Sequence, residues 1–221
     1  MSPSNPRGII SGRITGTGGS VPRTLSQEDI SEFRDQACAA ASRLFAQRGT
    51  DGVTMRALAE VMGISPMKPY HYFRDKEEIL AAVVTRAFSR FVAAVEEADQ
   101  HVGSARERAL AKRHAYVRFA LAEPDCYRIM FELPHPDPAA YPEMQAAMDR
   151  ARAIMRCSLN ALVAEGVVQG EPDMLGNVFW CSMHGPVSLY LAGKLDNEEQ
   201  LQAILDVAMR GLMLGLRPSE T

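Results

Sequence analysis

Long apolar runs are missing from this chain. None approaches the roughly 18 residues that a membrane span needs, and the N-terminus carries Arg7 and Arg13 without the apolar segment of a signal peptide. The expected location is therefore the cytoplasm. Cysteine is sparse: Cys38, Cys126, Cys157 and Cys181 stand far apart with no Cys-x-x-Cys pair, which argues against a zinc knuckle or a dithiol redox motif. Three of them fall within apolar helical patterns, where a free thiol behaves as a small hydrophobe. Strand-like alternation is absent throughout. Neither Gly-x-Ser-x-Gly nor a His/Glu metal spacing occurs, and Gly16-Thr-Gly-Gly-Ser20 lacks the Lys-Ser/Thr and the strand-to-helix setting of a phosphate loop. No catalytic set, metal site or cofactor is expected, so the chain does not read as an enzyme.

What is present is 221 residues, 47% of them hydrophobic, with twelve methionines and a net charge of −3. That length supports a sizeable core or two packed helical modules, and flexible thioethers fill cores or line adaptable pockets. The charge is split unevenly. Residues 1–90 carry 12 Lys+Arg against 9 Asp+Glu, and residues 91–221 carry 12 against 18. A mildly basic front on an acidic rear permits a polyanionic partner at one end.

Three segments follow from composition and period: a tail over 1–24, a module over 25–75 and a second module over 76–221. The tail is rich in Gly, Ser, Thr and Pro and has too few large apolar residues to offset its ordering entropy, so disorder is expected. It is either an inert leader or a basic arm reaching a minor groove through Arg7, Arg13 and Arg23. Beyond it the period is about 3.6 everywhere, and about nine helices are expected, an all-α fold. Ser26 with Asp29, Asp75 with Glu78 and Ser104 with Glu107 read as capping boxes, and Gly49 and Gly63 as helix stops. Later helices are expected over 125–132, 142–164, 173–192 and 196–216, with Pro186 interrupting the third of these.

In the front module two short helices meet at Gly63-Ile64-Ser65. The glycine permits a left-handed turn, and Ile64 plugs the angle between the helices. Such a helix-turn-helix offers its second element to a major groove about 12 Å wide. Ser65 and Pro66 would start that element, Lys68 supplies charge, and Tyr70, His71 and Tyr72 carry groups able to reach phosphates or base edges.

The run Thr54-Met-Arg-Ala-Leu-Ala-Glu-Val-Met-Gly-Ile-Ser65, followed by Tyr70-His-Tyr-Phe73 and Asp75-Lys-Glu-Glu-Ile-Leu80, resembles the DNA-binding domain of the TetR family of bacterial transcriptional repressors over about residues 32–80. The resemblance implies a three-helix, N-terminal helix-turn-helix DNA-binding domain on a C-terminal helical ligand-binding and dimerisation domain. It implies a homodimer on a palindromic double-stranded DNA operator, released by a small-molecule effector. Carried onto this sequence, it places Arg56 where a guanine is often read, Pro66, Met67 and Lys68 at the exposed start of the recognition helix, and Tyr70 and Tyr72 where phosphates are held. Lys76 falls at the phosphate-binding start of the next helix, and Thr54 caps the second helix and can touch phosphate. A solvated surface charge is the rival reading for Arg56, Lys68 and Lys76, and packing is the rival for Tyr70 and Phe73. Pro69 departs from the family pattern of Leu, Ile or Val. It removes a backbone donor, so the recognition helix is expected to open late or irregularly.

In the rear module, Trp180 and His184 lie four apart on one helical face, followed by Gly185 and Pro186. With Pro124-Asp-Cys-Tyr-Arg-Ile-Met-Phe131, this resembles the WHG type of TetR C-terminal domain. Phe119, Tyr127, Met130, Phe131, Trp180, Met183 and His184 are the expected lining of a pocket for a mostly apolar molecule, with Tyr127 or His184 fixing its polar group. The same residues could instead be plain core. A reading from another class also stays open at this point: a helical ligand-binding or enzymatic protein whose helix-turn-helix serves protein contacts.

Overall fold

The computed structural model describes residues 26–99 and 103–218. The tail over 1–24 and its three arginines lie outside the described residues. Ser26 opens α1 (Gln27–Arg48) with a reciprocal box: its hydroxyl accepts from Asp29 N–H while the Asp29 carboxylate accepts from Ser26 N–H, both at 3.0 Å. Together these satisfy two donors that a helix start leaves unpaired. Phe33, Ala37, Ala41, Leu44 and Phe45 form its buried stripe, and Gly49 ends it at φ 69°.

Helix α2 (Met55–Val61) is capped by the Thr54 hydroxyl, which accepts from Ala57 N–H at 3.1 Å. Gly63 then turns the chain at φ 64°, a conformation that side chains with a Cβ resist. Ile64 packs against the core from that corner. The expected third helix is a single 3-10 turn, Lys68–His71. The reason is Pro69: with no N–H of its own, it is bypassed by short bonds from Lys68 N to Ser65 O (2.9 Å) and from Tyr70 N to Met67 O (3.2 Å). Its ring is buried, so the apolar role of the position survives while the helical one does not.

Helix α3 (Lys76–Asp99) is the spine. Its stripe from Ile79 to Val95 is buried, and it packs on α1, α4 (Ala105–Ala122), α5 (Pro124–Phe131) and α6 (Pro142–Ala164). The expected Asp75/Glu78 box is half formed. Asp75 accepts from Glu78 N–H at 2.8 Å, but the Glu78 carboxylate accepts from Arg74 N–H instead. The Ser104/Glu107 box is complete.

Helices α7 (Pro172–Leu191) and α8 (Glu198–Gly215) pack against each other at the rear, and α7 also rests on α6 and α4. Contrary to expectation, α7 is continuous across Pro186. The described residues thus hold eight α-helices, two 3-10 turns (the second at Pro138–Ala140) and no strand, the all-α fold expected, with a count close to the expected figure of about nine. No helix among them is long and apolar enough to cross a membrane.

Candidate nucleic-acid interface and ligand cavity

The Gly63 corner brings Arg56, Pro66, Met67, Lys68, Tyr70 and His71 out together as exposed side chains. Met67 and Tyr70 are large apolar groups left 63% and 50% accessible, while Pro69 and Phe73, on the opposite side of the same turn, are buried. The surface is therefore cationic, hydroxylated and apolar at once, the mixture that base edges, phosphates and thymine methyls call for. Thr54 is exposed beside it with its hydroxyl already used as the cap.

Some of the expected DNA-facing residues also make contacts inside the protein. The Tyr72 ring stacks on Phe33 at 3.9 Å between centroids, and the Lys68 ammonium lies 5.1 Å from that same Phe33 ring. Lys76 donates to Thr50 O at 2.8 Å, tying the start of α3 to the loop after α1. An ammonium has three donors, so this bond orients Lys76 without consuming it.

The anchor that holds the recognition turn was not read from the sequence. Arg34 of α1 donates to Tyr72 O and, at 3.1 and 3.2 Å, to the Glu78 carboxylate, while its guanidinium lies 4.2 Å from the Phe73 ring centroid. Glu78 also accepts from the Arg74 backbone at 2.8 Å. Burial pushes the Glu78 carboxyl up, but the Arg74 backbone bond and the Arg34 guanidinium outweigh it and hold it below the usual carboxylate range. One arginine thus fixes α1, the recognition turn and the start of α3 to one another. Its sequence signal is weak, because a lone arginine beside Phe33 on an otherwise polar edge looks like any surface charge.

At the rear, a cavity of about 360 Å³ lies between α3, α4, α6, α7 and α8. Its walls are Phe91, Val95, Leu159, Phe179, Met183 and Met209, with Tyr116 on the α4 side. Of the seven residues expected to line a pocket, Met183 alone lines this cavity. Phe119 is buried between α3 and α4, with ring contacts to Phe91. Tyr127, Met130, Phe131, Trp180 and His184 sit in the packed layer next to the cavity. Satisfied polar atoms explain the difference. The Tyr127 hydroxyl is 2.8 Å from that of Tyr116 and 2.6 Å from His184 Nδ1, and His184 Nε2 is 3.2 Å from Ser188 Oγ.

With a neutral histidine the bonds run in one direction: Tyr116 donates to Tyr127, Tyr127 to Nδ1, and Nε2–H to Ser188. Burial lowers the His184 pKa, which keeps the ring neutral. Burial also raises both tyrosines, Tyr127 to about 12. Phe131 and Trp180 pack on His184 with centroids 5.4 and 5.1 Å away. Trp180 and His184 do share a face, as their spacing implies, and that half-buried face packs on Tyr127 and Phe131 rather than lining the cavity.

The polar residues at the cavity were missed by sequence reasoning. Lys112 is only 6% accessible and donates to Ser158 Oγ at 2.7 Å. The Arg113 side chain is 13% accessible and pairs through one terminal nitrogen with Asp206 of α8, whose own side chain is 56% accessible. The Arg113 Nε is buried with no hydrogen-bond acceptor. Such an orphan donor costs about 1–3 kcal/mol. Both residues belong to a helix whose sequence shows no clean apolar stripe, so neither stood out as inward-facing.

The fold and these two sites define a class: a helix-turn-helix unit mounted on a helical bundle that holds a cavity. Residues 38–83 match the family profile described as bacterial regulatory proteins, tetR family, and residues 108–212 match the one described as tetracyclin repressor-like, C-terminal domain. The transcriptional activator FasR of Mycolicibacterium smegmatis is 32% identical over 101 residues, 46% of this chain and 46% of its own length. The transcriptional repressor AcnR of Corynebacterium diphtheriae is 33% identical over 73 residues, 33% of this chain and 38% of its own. The chain therefore spans less than half the length of these curated relatives. The crystal structure of PfmR, a TetR family transcriptional regulator from Thermus thermophilus, superimposes with a TM-score of 0.65 at 25% identity, covering 80% of this chain and 99% of that one. The chain belongs to the TetR family.

Proposed function

We propose that the protein is a sequence-specific DNA-binding transcriptional regulator, a homodimeric repressor that leaves a palindromic operator when a small molecule fills the rear cavity. The observation that carries this reading is the exposed surface on the Gly63 corner, where Arg56, Met67, Lys68 and Tyr70 are exposed while Pro69 and Phe73 enter the core. In it, residues 25–75 are the DNA-binding unit, with Thr54, Pro66, His71, Tyr72 and Lys76 as supporting phosphate or groove contacts. Residues 76–221 hold the cavity and the subunit contact.

Met174 and Leu189 on α7 and Val207 on α8 are exposed large apolar side chains, available for contact with a second copy. A two-fold dimer then presents two recognition turns to half-sites about one helical turn or more apart. The lever is α3, which borders the cavity through Phe91 and Val95 and starts beside the Arg34 anchor. A ligand that shifts α3 changes the separation of the turns. Ligand and operator must then weaken each other's binding by the same factor.

The test is fluorescence anisotropy with operator DNA across a salt series. The reading expects affinity to fall steeply with salt and to drop in Arg56→Ala and Lys68→Ala with folding intact. Affinity indifferent to both changes would favour a helix-turn-helix used for protein contacts.

A further inference from the structure

Residues 91–221 are acidic overall, yet the residues lining the cavity reverse that balance: Arg106, Lys112, Arg113, Arg210 and Arg217 against the one carboxylate of Asp206. Three of these arginines, 106, 210 and 217, are exposed at the rim, whereas Lys112 and Arg113 lie inside. Beyond them and the hydroxyls of Ser158 and Tyr116, the walls are aliphatic, thioether and aromatic. A neutral apolar guest would leave the incompletely paired Arg113 guanidinium buried against it, and a cationic guest would add repulsion. An anionic head joined to an apolar body satisfies both ends.

We propose that the cavity takes an amphipathic anion, an alkyl chain bearing a carboxylate or phosphate, with the head on Arg113 and the chain along Leu159, Phe179, Met183 and Met209. This deepens the regulator reading, on which it rests for its biological use, and keeps the expectation of a mostly apolar effector while moving its polar group from Tyr127 or His184 to Arg113. Exposed Asp206 pairs with one terminal nitrogen of Arg113, leaving the other terminal nitrogen and the guanidinium charge for the ligand head. The signal has a route outward. Arg113 and Tyr116 share α4, Tyr116 is bonded to Tyr127 of α5, and α5 packs on α1 and α3.

Isothermal titration of the full chain with decanoate, decyl phosphate, decanol and decyltrimethylammonium, each below its micelle concentration, tests this. The expected result is that at least one anion binds about tenfold or more tighter than decanol, with the cation weakest. The ratio of the two anions tells a carboxylate site from a phosphate site. Arg113→Gln should abolish the preference for the anion while leaving decanol affinity unchanged. Asp206→Asn, at an exposed position, should tighten the anions by removing a competitor. Decanol binding as well as both anions, no probe binding to folded protein, or a preference unmoved in both variants would overturn the proposal. Operator affinity measured on the same samples separates the two readings. Anion binding without an effect on DNA leaves the ligand class standing and refutes its regulatory use. Absence of DNA binding even without probe refutes the regulator reading alone.

Discussion

At the front of the molecule Arg56 and Lys68 stand in water on an exposed corner; at the rear Lys112 and Arg113 are drawn inside the bundle, one against Ser158 and the other half-satisfied by Asp206. The same residue types serve different physics. Exposed charges are cheap to keep and suit a polyanion that arrives with its own counterions. Buried ones are expensive, and persist where a partner or a ligand compensates them. The front is a surface shaped from one stretch of sequence, while the rear is a cavity assembled from five helices.

The sharpest way to break this contrast is to remove the core beneath the front surface. Phe73 is 2% accessible and carries the Arg34 guanidinium on its ring, so Phe73→Ala should destabilise the protein by about 3–5 kcal/mol, read from the denaturant midpoint, and abolish DNA binding with it. Arg56→Ala should do the reverse. It should leave the denaturation midpoint in place and weaken operator binding by about 1–3 kcal/mol, with relaxed preference at one base pair.

The rear should answer to pH instead. Burial lowers the His184 pKa from its ordinary value of about 6.5, so the folded protein binds that proton less readily than the unfolded chain. The resulting stability is complete above about 6.5 and is lost as pH falls through the folded pKa. His184→Leu should flatten that slope in thermal melts, and should lower stability at neutral pH by roughly 1–3 kcal/mol because the Tyr127 hydroxyl loses its acceptor. The smallest expected effect is Thr54→Ala, about 1 kcal/mol from the lost cap of α2, seen in the melting curve and separable from Arg56→Ala by that criterion.

The contrast also explains what could be read in advance. Caps, the Gly63 corner and the buried stripe of α3 are local patterns, so the capping boxes at Ser26 and Ser104, the Thr54 cap and the span of α6 follow from sequence alone. Pro69 signalled an irregular recognition element, but a 3-10 turn with a buried proline ring depends on hydrogen bonds that only the assembled corner reveals. Arg34 escaped because its partners, Tyr72 and Glu78, lie 38 and 44 residues away. The cavity escaped for the same reason. Aromatic residues at helical spacing promised a pocket wall, and a tertiary hydrogen bond tied Tyr127 and His184 to each other beside the cavity, while charges with no pattern of their own were turned inward.

The measurement that bears most directly on the whole account is selection of bound sequences from random duplex DNA at about physiological salt, followed by footprinting of the winner. The account predicts a palindrome whose half-sites lie about one helical turn or more apart, protected on both halves by a dimer. Folded, dimeric protein that enriches no sequence, with and without decanoate and decyl phosphate, would contradict it.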